Sequence, residues 1–222
     1  ELGIPGNATV LCNFLQTWKI NKEIFEVWME IMGSSLRNSV LVLWGQSGDT
    51  VTNLGKEAKK RGVMRDRLRF VKRTEDLTGY HRRLCGCDVF LDTPFYNAGS
   101  TTPTVLWAGV PIVTLPGKTT ASRLASGFML GSGQILGNIV VARDLEEYRK
   151  LVGRIANRGS RGWKAARNSL EFYRDNLQAH HSLFSTEKHA RQMERTVSVM
   201  RRLGSTVHQG ASKYHVIVAG PR

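Results

Sequence analysis

A doubly wound α/β domain, with a parallel sheet covered by helices on both sides, is the fold class predicted by three features of this 222-residue sequence. Short apolar runs of strand length recur along its first two thirds. The segments between them are long enough for helices, and some carry a helical period. Several of the runs are apolar throughout instead of alternating, as strands buried on both faces are.

In chain order, "TVLCNF" (9–14) and "SVLVLW" (39–44) have strand length and β-branched content. Between them, "KEIFEVWMEIM" (22–32) repeats apolar residues at Ile24, Val27, Trp28 and Ile31, a helical spacing. Further strands are predicted at "LRFV" (68–71), "DVFLD" (88–92), "PIVTL" (111–115) and "NIVVA" (138–142). After residue 143 the strands stop. "DLEEYRKLVGRIA" (144–156), "WKAARNSLEFYRD" (163–175) and "TEKHARQMERTVSVMRRL" (186–203) read as helices. The last has Ala190, Met193, Val197 and Met200 on one side and a basic opposite face, the pattern of a docked helix. The expected division is an α/β lobe over 1–160, C-terminal helices packing on it over 161–204, and a tail over 205–222 with no assigned structure.

The 32 Lys and Arg against 18 Asp and Glu give a formal charge of +14. Such a balance favours anionic ligands and says nothing about fold. Nucleic acid is an unlikely partner, because no recognition module accompanies the charge. No run of eighteen uncharged apolar residues spans a membrane, and "ELGIPGNATV" lacks the features of a secretory signal. The absence of an initiator Met suggests a trimmed chain or a fragment. Cys12, Cys85 and Cys87 are too few for a disulfide framework and lack zinc-site spacing, so they are expected to be reduced, buried thiols of a cytoplasmic or nuclear protein.

Two small-residue turns follow predicted strands, where a doubly wound sheet binds its ligands. "PGKTT" looks like the end of a phosphate-binding loop of the Walker type, but counting back from Gly117 reaches Ile112 where the first glycine is needed. The earlier turn is better equipped. After Asp92 a loop carries Asn97, Ala98 and Gly99, and a helix is expected to begin at Ser100 or Thr101, with Pro103 in its first turn and Gly109 at its stop. Ser100, Thr101 and Thr102 suit a diphosphate, whereas plain N-capping needs only one hydroxyl.

"VLCNFLQTWKI" (10–20), "LDTPFYNAGSTTPTVLWAGVPIVTLPGKTTASRL" (91–124) and "HSLFSTEKHARQMER" (181–195) resemble the C-terminal catalytic lobe of the protein O-GlcNAc transferases, in the same order and at similar spacing. The resemblance runs from about residue 2 to about 203. It implies a Rossmann-like, nucleotide-sugar-binding lobe of a two-lobed GT-B glycosyltransferase. That family transfers N-acetylglucosamine from UDP-GlcNAc to Ser or Thr hydroxyls of proteins, with inversion and without a metal or other cofactor.

By the same resemblance, Gln16 and Lys19 match the family's Gln and Lys after the first strand. Lys19 would contact the diphosphate and stabilise charge on departing UDP. Thr101, with Ser100 and Thr102 beside it, matches the helix start that binds the β-phosphate. Arg83 matches a family Arg, and Tyr80 or His81 stands where a His meets the uracil ring. The sequence departs from the family at Gly99 or Ser100, where a His is usual, and at Thr104, where an acidic residue meets the ribose.

A second lobe and the TPR repeats that present acceptor proteins are implied partners outside this sequence, so the chain alone is expected to be inactive. No residue reads as an evident general base. SPINDLY-like transfer of fucose from GDP-fucose and a noncatalytic interaction lobe are the alternatives.

Overall fold

The computed structural model describes residues 3–45, 47–74, 76–131, 140–168 and 185–207. Five parallel strands, β1 (Thr9–Asn13), β2 (Ser39–Trp44), β3 (Leu68–Val71), β4 (Val89–Leu91) and β5 (Ile112–Val113), lie in the order β3-β2-β1-β4-β5. β1 runs in register with β2 from Thr9↔Ser39 to Asn13↔Leu43, and its other edge pairs Leu11 with Val89. All five strand positions predicted by apolar runs up to residue 115 are therefore strands. Of the strand expected over 138–142, residues 138 and 139 lie outside the described residues, and the remainder supplies only a parallel bridge from Val141 to Thr114.

The helices are α1 (Lys22–Gly33), α2 (Gly48–Lys60), α3 (Leu77–Cys85), α4 (Thr101–Trp107), α5 (Leu124–Gly131), α6 (Leu145–Ala156) and α7 (Thr186–Val207). Asn21, Ser47, Asp76 and Asp144 cap the first turns of α1, α2, α3 and α6 by accepting from a backbone N–H three residues on. The strand order carries the chain from β1 outward through α1 and α2, back past β1 through α3, and outward again through α4. With the right-handed crossovers usual for parallel strands, this puts α1 and α2 on one face and α3 and α4 on the other. α1 packs against α6, and α3 against α4. The side chains of Leu11, Leu41, Leu43, Val89, Phe90 and Ile112 are fully buried between these layers, with Trp28 of α1 and Tyr148 of α6 closing one face.

Residues 161–168 are helical, and the rest of the helix expected to 175 falls outside the described residues. Two compact units, Glu1–Asp175 and Asn176–Arg222, divide the chain. The second contains α7 as a continuous helix of 22 residues, while 208–222 of the predicted tail lies outside the described residues. No helix of the described residues is long and apolar enough to cross a membrane.

The amino edge of the sheet is tied by one buried acid. Asp88 accepts from the backbone N–H of Val10 at 2.8 Å, binding the start of β4 to β1. Arg158, just after α6, places Nε 3.0 and 2.9 Å from the two carboxylate oxygens, and its Nη1 donates to the carbonyl of Gly6. Arg167 adds a donor to the Cys87 carbonyl and lies 3.4 Å from Asp88. The expectation for the cysteines is corrected here. Cys12 and Cys87 form a disulfide with Cα atoms 5.9 Å apart, and only Cys85 keeps its thiol, which is exposed. Their separation of 75 residues conceals a proximity that the β1–β4 pairing creates.

Two outcomes follow from these ties. Denatured without reductant, the chain should expose one reactive thiol, rising to three after reduction; three thiols before reduction would contradict the bridge. Cross-linking a loop of this length should add roughly 4 kcal/mol of stability. Asp88→Asn, which leaves Arg158 facing a neutral amide, should lower the free energy of urea unfolding by about 2–4 kcal/mol, and an unchanged midpoint would show the network to be dispensable.

Candidate functional site

In the order β3-β2-β1-β4-β5, β1 and β4 are neighbours whose following segments leave toward opposite faces. A crevice opens at such a switch point beyond the strand ends. Both predicted binding segments arrive there. The segment after β1 turns through a short 3₁₀ helix, Thr17–Lys19, with Gln16 at its start. The segment after β4 is the turn 92–100, leading into α4.

The two meet through Lys19. Its ammonium donates to the carbonyl of Asn97 at 3.2 Å, a contact across 78 residues of sequence. It also lies 3.9 Å from the centre of the Tyr96 ring and 5.6 Å from that of Trp18, and these two rings meet edge to face. Partial burial lowers the Lys19 pKa below its ordinary value, while the negative charge of Asp92 opposes the shift. A half-buried cation whose partners among the described residues are two aromatic rings and a carbonyl is suited to receive an anion.

Asp92 builds the turn. Its carboxylate is fully buried and accepts from the Ala98 N–H and from the Thr114 hydroxyl, each at 2.7 Å. Its backbone carbonyl accepts from the Tyr148 hydroxyl, to which the Trp28 indole donates in turn. Asn97 is also buried; its amide donates to the Thr93 carbonyl, and its Oδ1 is buried with no hydrogen-bond partner among the described residues. A Cβ on Gly99 would stand 3.1 Å from the Leu124 side chain, so a small residue is favoured where the turn passes α5.

The three hydroxyls at this turn have different surroundings. Ser100 is exposed at the N-cap but makes no side-chain capping bond, unlike the caps of α1, α2, α3 and α6. Thr101 is hydrogen-bonded to Tyr80, whose own ionisation burial pushes up to about 12. Thr102 is wholly buried and donates to the Ala98 carbonyl, so its hydroxyl lies inside the turn instead of at its mouth. Thr104 follows Ser100 by one helical turn and is half-buried. Gly109 at φ 70° ends the segment, as its sequence position predicts.

Of the residues expected to meet a base, Tyr80 sits in an aromatic cluster, its ring centre 6.1 Å from Phe14 and 6.2 Å from Trp44. His81, one residue on, has Nδ1 3.7 Å from the Cys85 sulfur. Arg83 donates to the carbonyl of Lys72 at 2.6 Å. The "PGKTT" segment serves as a brace. Thr119 and Ser122 form a reciprocal cap, the Gly117 N–H donates to the Ser122 carbonyl, and the Asn97 N–H donates to Ala121.

The family model for glycosyl transferase family 41 matches residues 1–193. The chain belongs to this family. It is 33% identical over 150 residues to the probable UDP-N-acetylglucosamine–peptide N-acetylglucosaminyltransferase SEC of Arabidopsis thaliana, covering 68% of this chain and 15% of that protein. It is 31% identical over 180 residues to the UDP-N-acetylglucosamine–peptide N-acetylglucosaminyltransferase of Caenorhabditis elegans, covering 76% of this chain and 15% of that one. The chain thus spans about 15% of the length of these curated relatives. Its fold is similar to that of a Thermobaculum terrenum O-GlcNAc transferase mutant, with a TM-score of 0.73 at 24% identity over 86% of this chain and 38% of the other.

Sequence reading of this family 41 lobe missed Asp92 as the organiser of the turn and Trp18 and Tyr96 as the walls around Lys19. The signal was present only in part: an acid ending a buried strand is unusual, but its partners at Ala98 and Thr114 emerge only from the fold.

Burial raises the Asp92 pKa from 3.8 to about 7, opposed by its three hydrogen bonds and by Lys19. Between those values the folded chain binds more protons at Asp92 than the unfolded chain does. Its contribution to stability is therefore largest at acid pH and declines as pH rises from about 4 through about 7, by at most about 4 kcal/mol. Urea unfolding from pH 4.5 to 7.5 should reveal a downward slope in the wild type that is flattened in Asp92→Asn; parallel profiles would remove this assignment.

Proposed function

We propose that this chain is the nucleotide-sugar-binding lobe of a protein O-GlcNAc transferase, acting on UDP-GlcNAc and on Ser or Thr hydroxyls of acceptor proteins with inversion and without a metal. The observation that carries the reading is the meeting of Lys19 with the Asn97–Thr101 turn at the β1–β4 switch point. The family membership and the names of the curated relatives support the donor.

In this reading the donor's diphosphate takes the place of the Asn97 carbonyl as the chief partner of Lys19. The exposed Ser100 hydroxyl, Thr101 and the N–H groups of the first turn of α4 approach the β-phosphate. As the bond from the sugar to UDP breaks, negative charge grows on the β-phosphate oxygens. The Lys19 ammonium, already fixed between Tyr96 and Trp18, stabilises that charge with little reorganisation. The acceptor hydroxyl attacks the opposite face of the sugar, which inverts its anomeric centre. Presentation of the acceptor and removal of its proton belong, in this proposal, to a second lobe and to TPR repeats.

Calorimetric titration with UDP, GDP and UDP-GlcNAc tests the reading. UDP and its sugar should bind in preference to GDP, and Lys19→Ala should weaken them about 10- to 100-fold, the range of one charge-assisted contact. Thr101→Val should cost less, about 3- to 10-fold. Preference for GDP would redirect the donor to a GDP-sugar, and binding indifferent to Lys19 would remove the site.

A further inference from the structure

We propose that Asp92 is a positioning residue that balances the charge of Lys19, and that a diphosphate engaging Lys19 draws a proton onto Asp92. The inference rests on the reading of Lys19 as the diphosphate contact.

The geometry supplies the reason. The Asp92 carboxylate is wholly enclosed and is held by neutral donors, the N–H groups of Ala98 and Thr93 and the hydroxyl of Thr114. Dipoles of this kind orient a charge without cancelling it. One peptide unit links the acid to Lys19: its N–H, from Ala98, donates to the Asp92 carboxylate, while its carbonyl, from Asn97, accepts from the Lys19 ammonium. That link sets the cation within electrostatic reach of the carboxylate. The other groups facing it are Tyr148 from α6, which donates to the Asp92 carbonyl and is pushed far above its ordinary ionisation by burial, and Thr114 after β5, which does not titrate.

In the free chain above about pH 7, where Asp92 is ionised, Lys19 and Asp92 form a neutral sum. A bound diphosphate adds two negative charges beside Lys19 in a half-dry crevice. The site then holds an excess of negative charge, and protonating Asp92 is the change that relieves it with least movement. Oδ1 can go on accepting from the Ala98 N–H. The proton on Oδ2 can be donated to the Thr114 hydroxyl, which reverses its role without leaving its 2.7 Å contact. The turn that carries Asn97, Ser100 and Thr101 therefore keeps its shape in both protonation states. That the pKa of this acid already stands near 7 means that the exchange falls within an accessible pH range.

The first test needs no ligand. The side-chain carboxyl carbon of Asp92, followed by NMR through a pH titration of the chain, should titrate about one unit higher in Lys19→Met than in the wild type. An unchanged midpoint overturns the pairing. The second test is calorimetry with UDP-GlcNAc, whose diphosphate does not titrate near neutrality, in buffers of different ionisation enthalpy. Proton uptake should accompany binding near pH 8, with affinity falling about threefold to tenfold between pH 7 and 8.5. Zero uptake, or the same uptake in Asp92→Asn, overturns the exchange. A chain that binds no UDP-GlcNAc counts against the donor reading, and the Lys19→Met midpoint still decides whether the two charges are coupled.

Discussion

The carboxylate of Asp92, fully buried at the end of β4, is the constraint on which the carboxyl edge of this sheet depends. It receives the Ala98 N–H and so folds the turn back over the strand end. It also receives the Thr114 hydroxyl from the neighbouring edge, and its own carbonyl anchors the Tyr148–Trp28 pair of α6 and α1. The turn, the segment after β5 and the α1–α6 layer therefore converge on one residue. Asn97 can present its carbonyl to Lys19 because the turn has been fixed from below, not because the loop itself is rigid.

Asp88 and Asp92 stand at opposite ends of one short strand and show two solutions to the same difficulty. Each is an acid removed from water. At the amino edge, Asp88 has two arginines, Arg158 and Arg167, and is tied into a charged network that joins distant segments. At the carboxyl edge, Asp92 has neutral donors and, among the described residues, the one cation Lys19 within electrostatic reach, and burial raises its pKa. The first arrangement locks structure together. The second keeps the acid one peptide away from Lys19, whose close partners are a carbonyl and two aromatic rings, so that the ammonium can still take up an anion.

Much of this organisation was legible in the sequence, and what was not has physical reasons. Apolar runs revealed the strands because a parallel sheet buries both faces. The period of Ile24, Val27, Trp28 and Ile31 revealed α1, and Gly109 marked the stop after α4 because the chain there turns to positive φ. The Cys12–Cys87 bridge escaped because proximity across 75 residues is set by strand order, which spacing alone does not encode. Thr102 escaped for a different reason: "STT" names three hydroxyls, but helical rotation decides which faces the crevice, and Thr102 turns inward to the Ala98 carbonyl. Residues 138 and 139 of the strand expected over 138–142, and residues 169–175 of the helix expected over 163–175, lie outside the described residues.

That division of the hydroxyls also explains why the first turn of α4 is built unlike the other helix starts. Asn21, Ser47, Asp76 and Asp144 each spend a side-chain acceptor on their own backbone, which stabilises a helix end and closes it to other partners. Ser100 adopts a helical conformation instead and makes no such bond. The loss is offset from the next two residues, Thr101 through Tyr80 and Thr102 through Ala98, so that the turn is held by its flanks while its mouth stays uncapped. With the Lys19 ammonium held at the Asn97 carbonyl, an incoming anion would meet donors already in position.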